Sequence, residues 1–337
     1  MKSHQVTIKD IARELGVSPS TVSRALKDHP DISPATKEQV RELVDKLKYK
    51  PNAIALSLRN RKSNVISVIV PQIVHHFFSS VISGIEEVAQ EGGYNVMIFQ
   101  SNEQYEREVL ITQTLQSNRA DGVLVSISKT TQKFSHFKEL MRNELPVVFF
   151  DRVCEELEAD RVTVDDFNGA LNAVEYLIQT GCKRIAHFAA PQHLLIGYHR
   201  QRGYISALEK NGIKVDDNLI MKCDTIEEAL EITPNVMQQP DPPDAIFAVN
   251  DMTAAGTVNA LKRLGYKIPD EVSVIGFTDG LVSTVTDPPL TTVSQHGYLI
   301  GKKAAEILLD RIGYLGDDYR IRNEVIKTDL VIRGTTR

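Results

Sequence analysis

The spacing of apolar residues changes its period along the chain. Near the N-terminus, Ile8, Ile11, Ala12 and Leu15 recur at helical intervals and Gly16 closes the run. Thr7 stands at the N-cap position, with Asp10 three residues on in the manner of a capping box. Ser18 followed by Pro19 opens a second helix, which runs to about Leu26 with Val22, Ala25 and Leu26 facing inward. Ser33 and Pro34 repeat that start for a third helix, whose inward positions are Val40, Leu43, Val44 and Leu47. Only a tight turn separates the first two, so the pattern predicts a three-helix unit containing a helix-turn-helix.

From Asn64 onward, β-rich runs alternate with helical stretches: VISVIVP, FSSVISGIEEVAQEGG, YNVMIFQ, a helix through Leu110 and Leu115, GVLVSIS, then PVVFFD. After Asp165 the alternation restarts with a helix over 170–180, RIAHFAA, a helix around 203–210, AIFAV, a helix over 252–264 and VSVIGFT. This texture signals parallel sheets with helices on both faces, so the expected fold class is α/β, two doubly wound units in series behind a helical head. A length of 337 residues with 42% hydrophobic residues suits two or three domains.

Charge adds a contrast between the two parts. Residues 1–63 hold 13 Lys and Arg against 7 Asp and Glu, a net of +6, which leaves −11 on the remainder. A basic head on an acidic body fits a polyanion-binding module joined to a separate globular domain. No segment approaches the roughly 18 consecutive apolar residues of a membrane span, and MKSHQVTIKD lacks the apolar stretch of a secretory signal, so a cytoplasmic protein is expected. Cys154, Cys182 and Cys223 lie far apart without metal-ligand spacing and read as buried, reduced thiols. Neither a cofactor nor a metal is expected.

The second helix of a helix-turn-helix enters the major groove with its N-terminal residues against base edges. Its small side chains, Ser18, Pro19, Ser20, Thr21 and Ser23, permit close approach. Thr21 and Ser23 offer donors to phosphates, and Arg24 is able to hold guanine O6 and N7 in a bidentate contact. Pro19 has no polar group, so any preference at its base rests on shape or methyl contact. The stretch TIKDIARELGVSPSTVSRALKDHPDISPATKEQVRELVDKLKYKPNAIALSLR resembles the DNA-binding head and hinge of the lac repressor (LacI/GalR) family. The resemblance implies a hinge helix over 52–59 that pushes a leucine into the minor groove; Leu58 matches that wedge and Ala55 the residue packed beside it. A helix of about eight residues is too short to persist alone in water, so it is expected to form only on DNA, as a pair across a dimer. The sequence departs from the family at Leu56, where many members carry a polar or basic residue. The implied DNA-binding set is Thr7, Ser18, Pro19, Ser20, Thr21, Ser23, Arg24, Asn52, Ala55 and Leu58.

Ligands of open α/β sheets bind beyond the carboxyl ends of the strands. Here those positions are 71–78, Asp151 and Arg152, 191–193, Asn250 and Asp251, and Thr278 and Asp279. Acids, amides, an arginine and phenylalanines suit a polyhydroxylated ligand, a sugar first and a purine as the alternative. The stretches FFSSVISGIEE, DGVLVS, FDRV, RQRGY, FAVND, VSVIGF and PPLTTVSQ are similar to the periplasmic-binding-protein-like core of the same family. By that resemblance Phe77, Phe78, Asp151, Arg200, Asn250, Asp251 and Gln295 face the effector. The family often has Asp after the VSVIG strand, whereas this chain has Thr278, with Asp279 one place later. His75 and His76 precede the two phenylalanines and carry no assigned role. The resemblance also implies three crossings between the core units, near Val164, Pro289 and Arg322. The expected domains are therefore a head at 1–50, a hinge at 51–63, an N-subdomain at 64–164 and 291–322, and a C-subdomain at 165–290 and 323–337.

An enzyme is not expected, because no phosphate loop, GxGxxG, HExxH or GxSxG stands in the sequence. Asp165 and Asp166 read as crossing or cleft residues. A solute receptor of the same fold would need a signal peptide where this chain has a basic helical head. The expectation is a homodimeric transcription regulator, a repressor, that binds palindromic double-stranded DNA. Its operator affinity would respond to a small-molecule effector, a carbohydrate, in the cleft, the alternatives being a purine or nucleoside, or a partner protein. The tail IRNEVIKTDLVIRGTTR shows no heptad repeat, so a dimer is expected over a higher oligomer.

Overall fold

The computed structural model describes residues 6–49, 62–118, 120–316 and 318–337. The chain divides into two compact units, 1–64 and 65–337. In the first, α1 (Ile8–Glu14), α2 (Pro19–Ala25) and α3 (Pro34–Lys46) each begin at a local cap. The Asp10 carboxylate accepts from the Thr7 N–H at 2.9 Å and the Thr7 hydroxyl at 2.6 Å. Ser18 Oγ accepts from the Thr21 N–H at 3.1 Å, and Ser33 Oγ from the Thr36 N–H at 3.2 Å. Gly16 leaves α1 at φ +67°, a backbone state that costs a side-chain-bearing residue and that glycine adopts freely. Ile11, Ala12, Val22, Ala25, Val40 and Leu43 form the small core. Leu26 was expected inward but is 36% exposed. It is the C-cap residue of α2, and Val22 and Ala25 already cover the inward stripe.

The second unit holds two six-stranded sheets. The first is ordered β11 (Asn323–Ile326), β5 (Asp160–Val164), β4 (Val147–Phe150), β3 (Gly122–Val125), β1 (Val65–Val70) and β2 (Asn95–Gln100), all parallel. The second runs β12 (Asp329–Val331), β10 (Thr291–Ser294), β9 (Ser273–Thr278), β8 (Ala245–Ala248), β6 (Ile185–Ala189) and β7 (Ile220–Lys222). There only β12 runs antiparallel, against β10. Successive residues of the central strands enter different cores. Ile66, Val68, Val148 and Phe150 pack on one face of the first sheet, and Ile69, Val147 and Phe149 on the other. This is why these strands read as unbroken apolar runs, since both faces are covered by helices.

The covering helices are α4 (His76–Glu91), α5 (Tyr105–Asn118), α6 (Ser135–Arg142) and α12 (Gly297–Gly313) around the first sheet. Around the second are α7 (Asp166–Gln179), α8 (Leu195–Lys210), α9 (Ile226–Met237), α10 (Asp251–Arg263) and the short α11 (Leu281–Val285). Helices α4 and α12 touch backbone to backbone. A Cβ on Gly84 would lie 2.1 Å from the Tyr298 carbonyl oxygen, and one on Gly301 2.0 Å from that of Val81.

Two of the expected crossings are displaced. The chain passes from β5 to α7 just after Val164, but it returns after Ser294 instead of near Pro289, because β10 pairs with β9 in the second sheet. It leaves the first sheet after Ile326 instead of at Arg322, because β11 pairs with β5. Residues 291–294 and 323–326 thus each belong to the subdomain opposite the one expected. Cys154, Cys182 and Cys223 are buried and unpaired. No helix among the described residues is long and apolar enough to cross a membrane.

Candidate DNA-facing helix and ligand cleft

The side of α2 turned away from the head core carries Ser20 and Arg24, with half-buried Thr21 and Ser23 beside them and Ser18 and Pro19 exposed at its start. Ser18 Oγ lies 2.7 Å from Ser20 Oγ and 2.9 Å from Thr21 Oγ1, so these hydroxyls form one cluster at the helix start. Arg24 is exposed, and its ion pair with exposed Asp31 is 3.9 Å long. Thr7 lies at the start of α1, its hydroxyl donating to Asp10. Asn52, Ala55 and Leu58 lie outside the described residues.

In the second unit a cavity of about 630 Å³ opens beyond the carboxyl ends of both sheets. The seven residues that the resemblance turns to the effector, Phe77, Phe78, Asp151, Arg200, Asn250, Asp251 and Gln295, all line it, as does the strand-end candidate Thr278. Phe77 and Phe78, in the first turn of α4, meet edge to face with ring centroids 5.2 Å apart. Arg200, on α8, is 3% exposed. Asp166 Oδ1 accepts from its Nε at 2.8 Å and pairs with Nη2 at 2.7 Å, the Val249 carbonyl accepts from Nη1 at 2.6 Å, and the Phe277 ring lies 3.7 Å beneath the guanidinium. The arginine is therefore fixed before any ligand arrives.

Asp151 follows β4 at φ +59°, in the left-handed region. Burial pushes its carboxyl up to about 6, against the pull of Arg152 and Arg200, and the Ser126 hydroxyl donates to it at 3.2 Å. Asp251 is also raised to about 6 by burial, although the Thr292 hydroxyl and the Gly280 N–H both donate to it. Asn250 caps α10 by accepting from the Thr253 N–H at 2.8 Å, and its Nδ2 donates to the Asp224 carbonyl at 2.9 Å. The Asn–Asp pair thus lines the cavity while its polar atoms tie neighbouring loops together. Gln295 differs. Its Oε1 accepts from the Thr278 hydroxyl at 3.0 Å, whereas its buried Nε2 has no partner among the described residues. Asp279 does not line this cavity; its carboxylate pairs with Arg333 at 2.6 Å and accepts from the Ser283 hydroxyl at 3.2 Å.

Two stretches of the chain match family descriptions. Residues 63–333 match "Periplasmic binding proteins and sugar binding domain of LacI family", and residues 7–52 match "Bacterial regulatory proteins, lacI family". The chain belongs to the LacI family. Among LacI-family relatives, the HTH-type transcriptional repressor CytR of Escherichia coli (strain K12) is 35% identical over 332 residues, covering 98% of this chain and 96% of that one. The transcriptional regulator CelR in complex with cellobiose superposes with a TM-score of 0.75 at 26% identity, over 98% of this chain and 99% of its own. The lac repressor dimer bound to operator and the anti-inducer ONPF shares the fold, with a TM-score of 0.86 at 24% identity over 99% of each chain.

Several charged residues of the cleft escaped the sequence assignment. Glu103, after β2, accepts from Arg152 Nη1 at 2.9 and 2.8 Å and from the Lys129 N–H at 2.7 Å. Lys129, after β3, reaches across the cleft to Asp224, after β7, at 2.6 Å. Burial pushes the Asp224 carboxyl up, but Lys129 and Lys222 outweigh it and hold the group below its ordinary value. His75 and His76 also line the cavity, and burial with Arg152 lowers the His75 imidazole. Position alone gave Arg152 a signal, at a strand end. Glu103, Lys129 and Asp224 stand in polar loops, and only their pairing over distance marks them.

Proposed function

We propose that this LacI-family chain is a cytoplasmic, homodimeric transcriptional repressor and not an enzyme, and that a carbohydrate or carbohydrate derivative in the cleft controls its affinity for a palindromic operator. The observation that carries the reading is the exposed α2 face: small hydroxyl side chains at a capped helix start, followed by one exposed arginine, in a chain that aligns along nearly its full length with a transcriptional repressor. Thr21 and Ser23 take phosphates, and Arg24 takes a guanine. Thr7, Ser18, Pro19 and Ser20 complete the approach, while Asn52, Ala55 and Leu58 serve the minor groove as the family resemblance implies.

In the cleft, Phe77 and Phe78 offer ring faces to a sugar, Arg200 and Gln295 Nε2 donate, and Asp151 accepts. The cellobiose held by the structurally similar CelR supports a carbohydrate. Asn250, Asp251 and Thr278 hold the walls in register. Closure of one sheet unit upon the other around the ligand then changes the spacing of the two hinges in a dimer, and operator affinity follows. Selection of the purified full chain against a random duplex library tests the DNA half of the proposal. Enrichment of dyad-symmetric sites is expected; a bound pool without symmetry would refute it.

A further inference from the structure

The charges that face the cavity are unevenly committed. Its three permanent cations already have carboxylate partners: Lys129 has Asp224 at 2.6 Å, Arg152 has Glu103 at 2.8 Å and Arg200 has Asp166 at 2.7 Å. Three more carboxylates, Asp151, Asp251 and Glu227, line the same cavity, and none of them forms an ion pair with a cation among the described residues. Asp251 already accepts from Gly280 and Thr292, and Glu227 lies exposed in the first turn of α9. Asp151 is 8% exposed, and the Ser126 hydroxyl donates to it at 3.2 Å. Opposite charge is thus already neutralised within the wall, and acidic charge is left over.

We propose that the effector carries no phosphate or carboxylate, and that an amino group placed against Asp151 tightens its binding, which makes Asp151 the specificity-determining residue of the cleft. The proposal rests on the carbohydrate reading above and narrows it to neutral and amine-bearing polyols. A phosphate would enter beside Glu103, Asp151 and Glu227 and lose its hydration without gaining an uncommitted cation. A protonated amine gains a charge-assisted hydrogen bond in a partly desolvated site, where such bonds are about twice as strong as neutral ones. The groups facing Asp151 are Ser126, Arg152 on its own loop, Arg200 from α8 and Asp166 from α7. Both arginines are paired, so their fields at Asp151 are reduced by Asp166 and Glu103.

Binding of matched probes to the full chain tests this by titration calorimetry and thermal shift. One series is D-glucosamine, D-glucose and D-glucose 6-phosphate, with the galacto counterparts; the other is 5′-amino-5′-deoxyadenosine, adenosine and adenosine 5′-monophosphate. Within whichever series binds, the amine is expected about tenfold tighter than the neutral compound, with the phosphate weakest. Asp151→Asn, whose side chain tolerates the left-handed backbone at this position, should bring the amine-to-neutral affinity ratio to about one, whatever the change in the affinity of the neutral compound itself. In the unaltered chain the same advantage should shrink between pH 7.5 and pH 5, as Asp151 takes up a proton near 6. A phosphate that binds as well as the neutral compound, or an amine that binds no better, overturns the proposal and leaves ligand control standing. Silence from every probe overturns the carbohydrate reading as well.

Discussion

Arg24 is the long side chain on the exposed side of α2, and its 3.9 Å pair with Asp31 joins two groups that are each more than half exposed. Pairs of that kind contribute about 0–1 kcal/mol, so exchanging Asp31 for a guanine edge costs little. Replacing Arg24 with Ala should therefore cost about 1–3 kcal/mol at one base pair of each half-site and relax preference there. Repeating the duplex selection with that variant reads the effect directly; an unchanged preference at every position would remove Arg24 from base readout. Arg200 is a poorer residue to truncate. Its guanidinium neutralises Asp166, which is itself buried, so an Ala there leaves an uncompensated carboxylate and confounds ligand binding with folding. Gln295 gives the cleaner probe of the cleft, because its Nε2 holds no other group among the described residues.

At the scale of elements, the loop after β3 joins the two sheet units. Glu108, on α5, accepts from Ser128 N–H at 2.8 Å, from the Thr131 hydroxyl at 2.7 Å, and faces His136 Nε2 at 3.0 Å, which anchors that loop to the subdomain of the first sheet. From the anchored loop Lys129 reaches Asp224, while its carbonyl oxygen lies 2.6 Å from His193 Nε2; both partners belong to the subdomain of the second sheet. Lys129→Ala should favour the open cleft and weaken the effector about two- to fivefold, the worth of a partly exposed ion pair. His193→Ala, which does not line the cavity, should act in the same direction, and unchanged titrations for both would deny the bridge any part in closure.

The same scale shows what could be read from the chain. Capped helices and two-faced strands were legible because their signals are local: Ser18–Pro19 and Ser33–Pro34 starts, and apolar runs such as VISVIV and VVFF. Two of the crossings were not, because β10 and β11 are each only four residues long and the sheet each joins is decided by pairing, β10 with β9 and β11 with β5, which is distant in the chain. Strand ends pointed to most of the cleft, including Asp151 and Asn250. The Lys129–Asp224 contact lay beyond such reading, since each residue alone resembles a solvated loop charge. Asp279 illustrates the converse: adjacent to the expected position, it is turned to Arg333.

For the whole molecule, an exposed α2 and a cleft lined by aromatic and charged side chains acquire regulatory meaning only if occupancy of one alters binding at the other, a coupling that for allosteric proteins amounts to about 1–3 kcal/mol, or 5–150-fold. The most direct measurement is the dissociation constant of the full chain for its selected dyad-symmetric duplex, at one fixed salt concentration, with and without a saturating cleft ligand. A change of at least about fivefold is predicted for the unaltered chain. In Gln295→Ala the operator affinity without ligand should stay as it was, with the response diminished. An operator affinity that is identical with the cleft empty and filled would contradict the account.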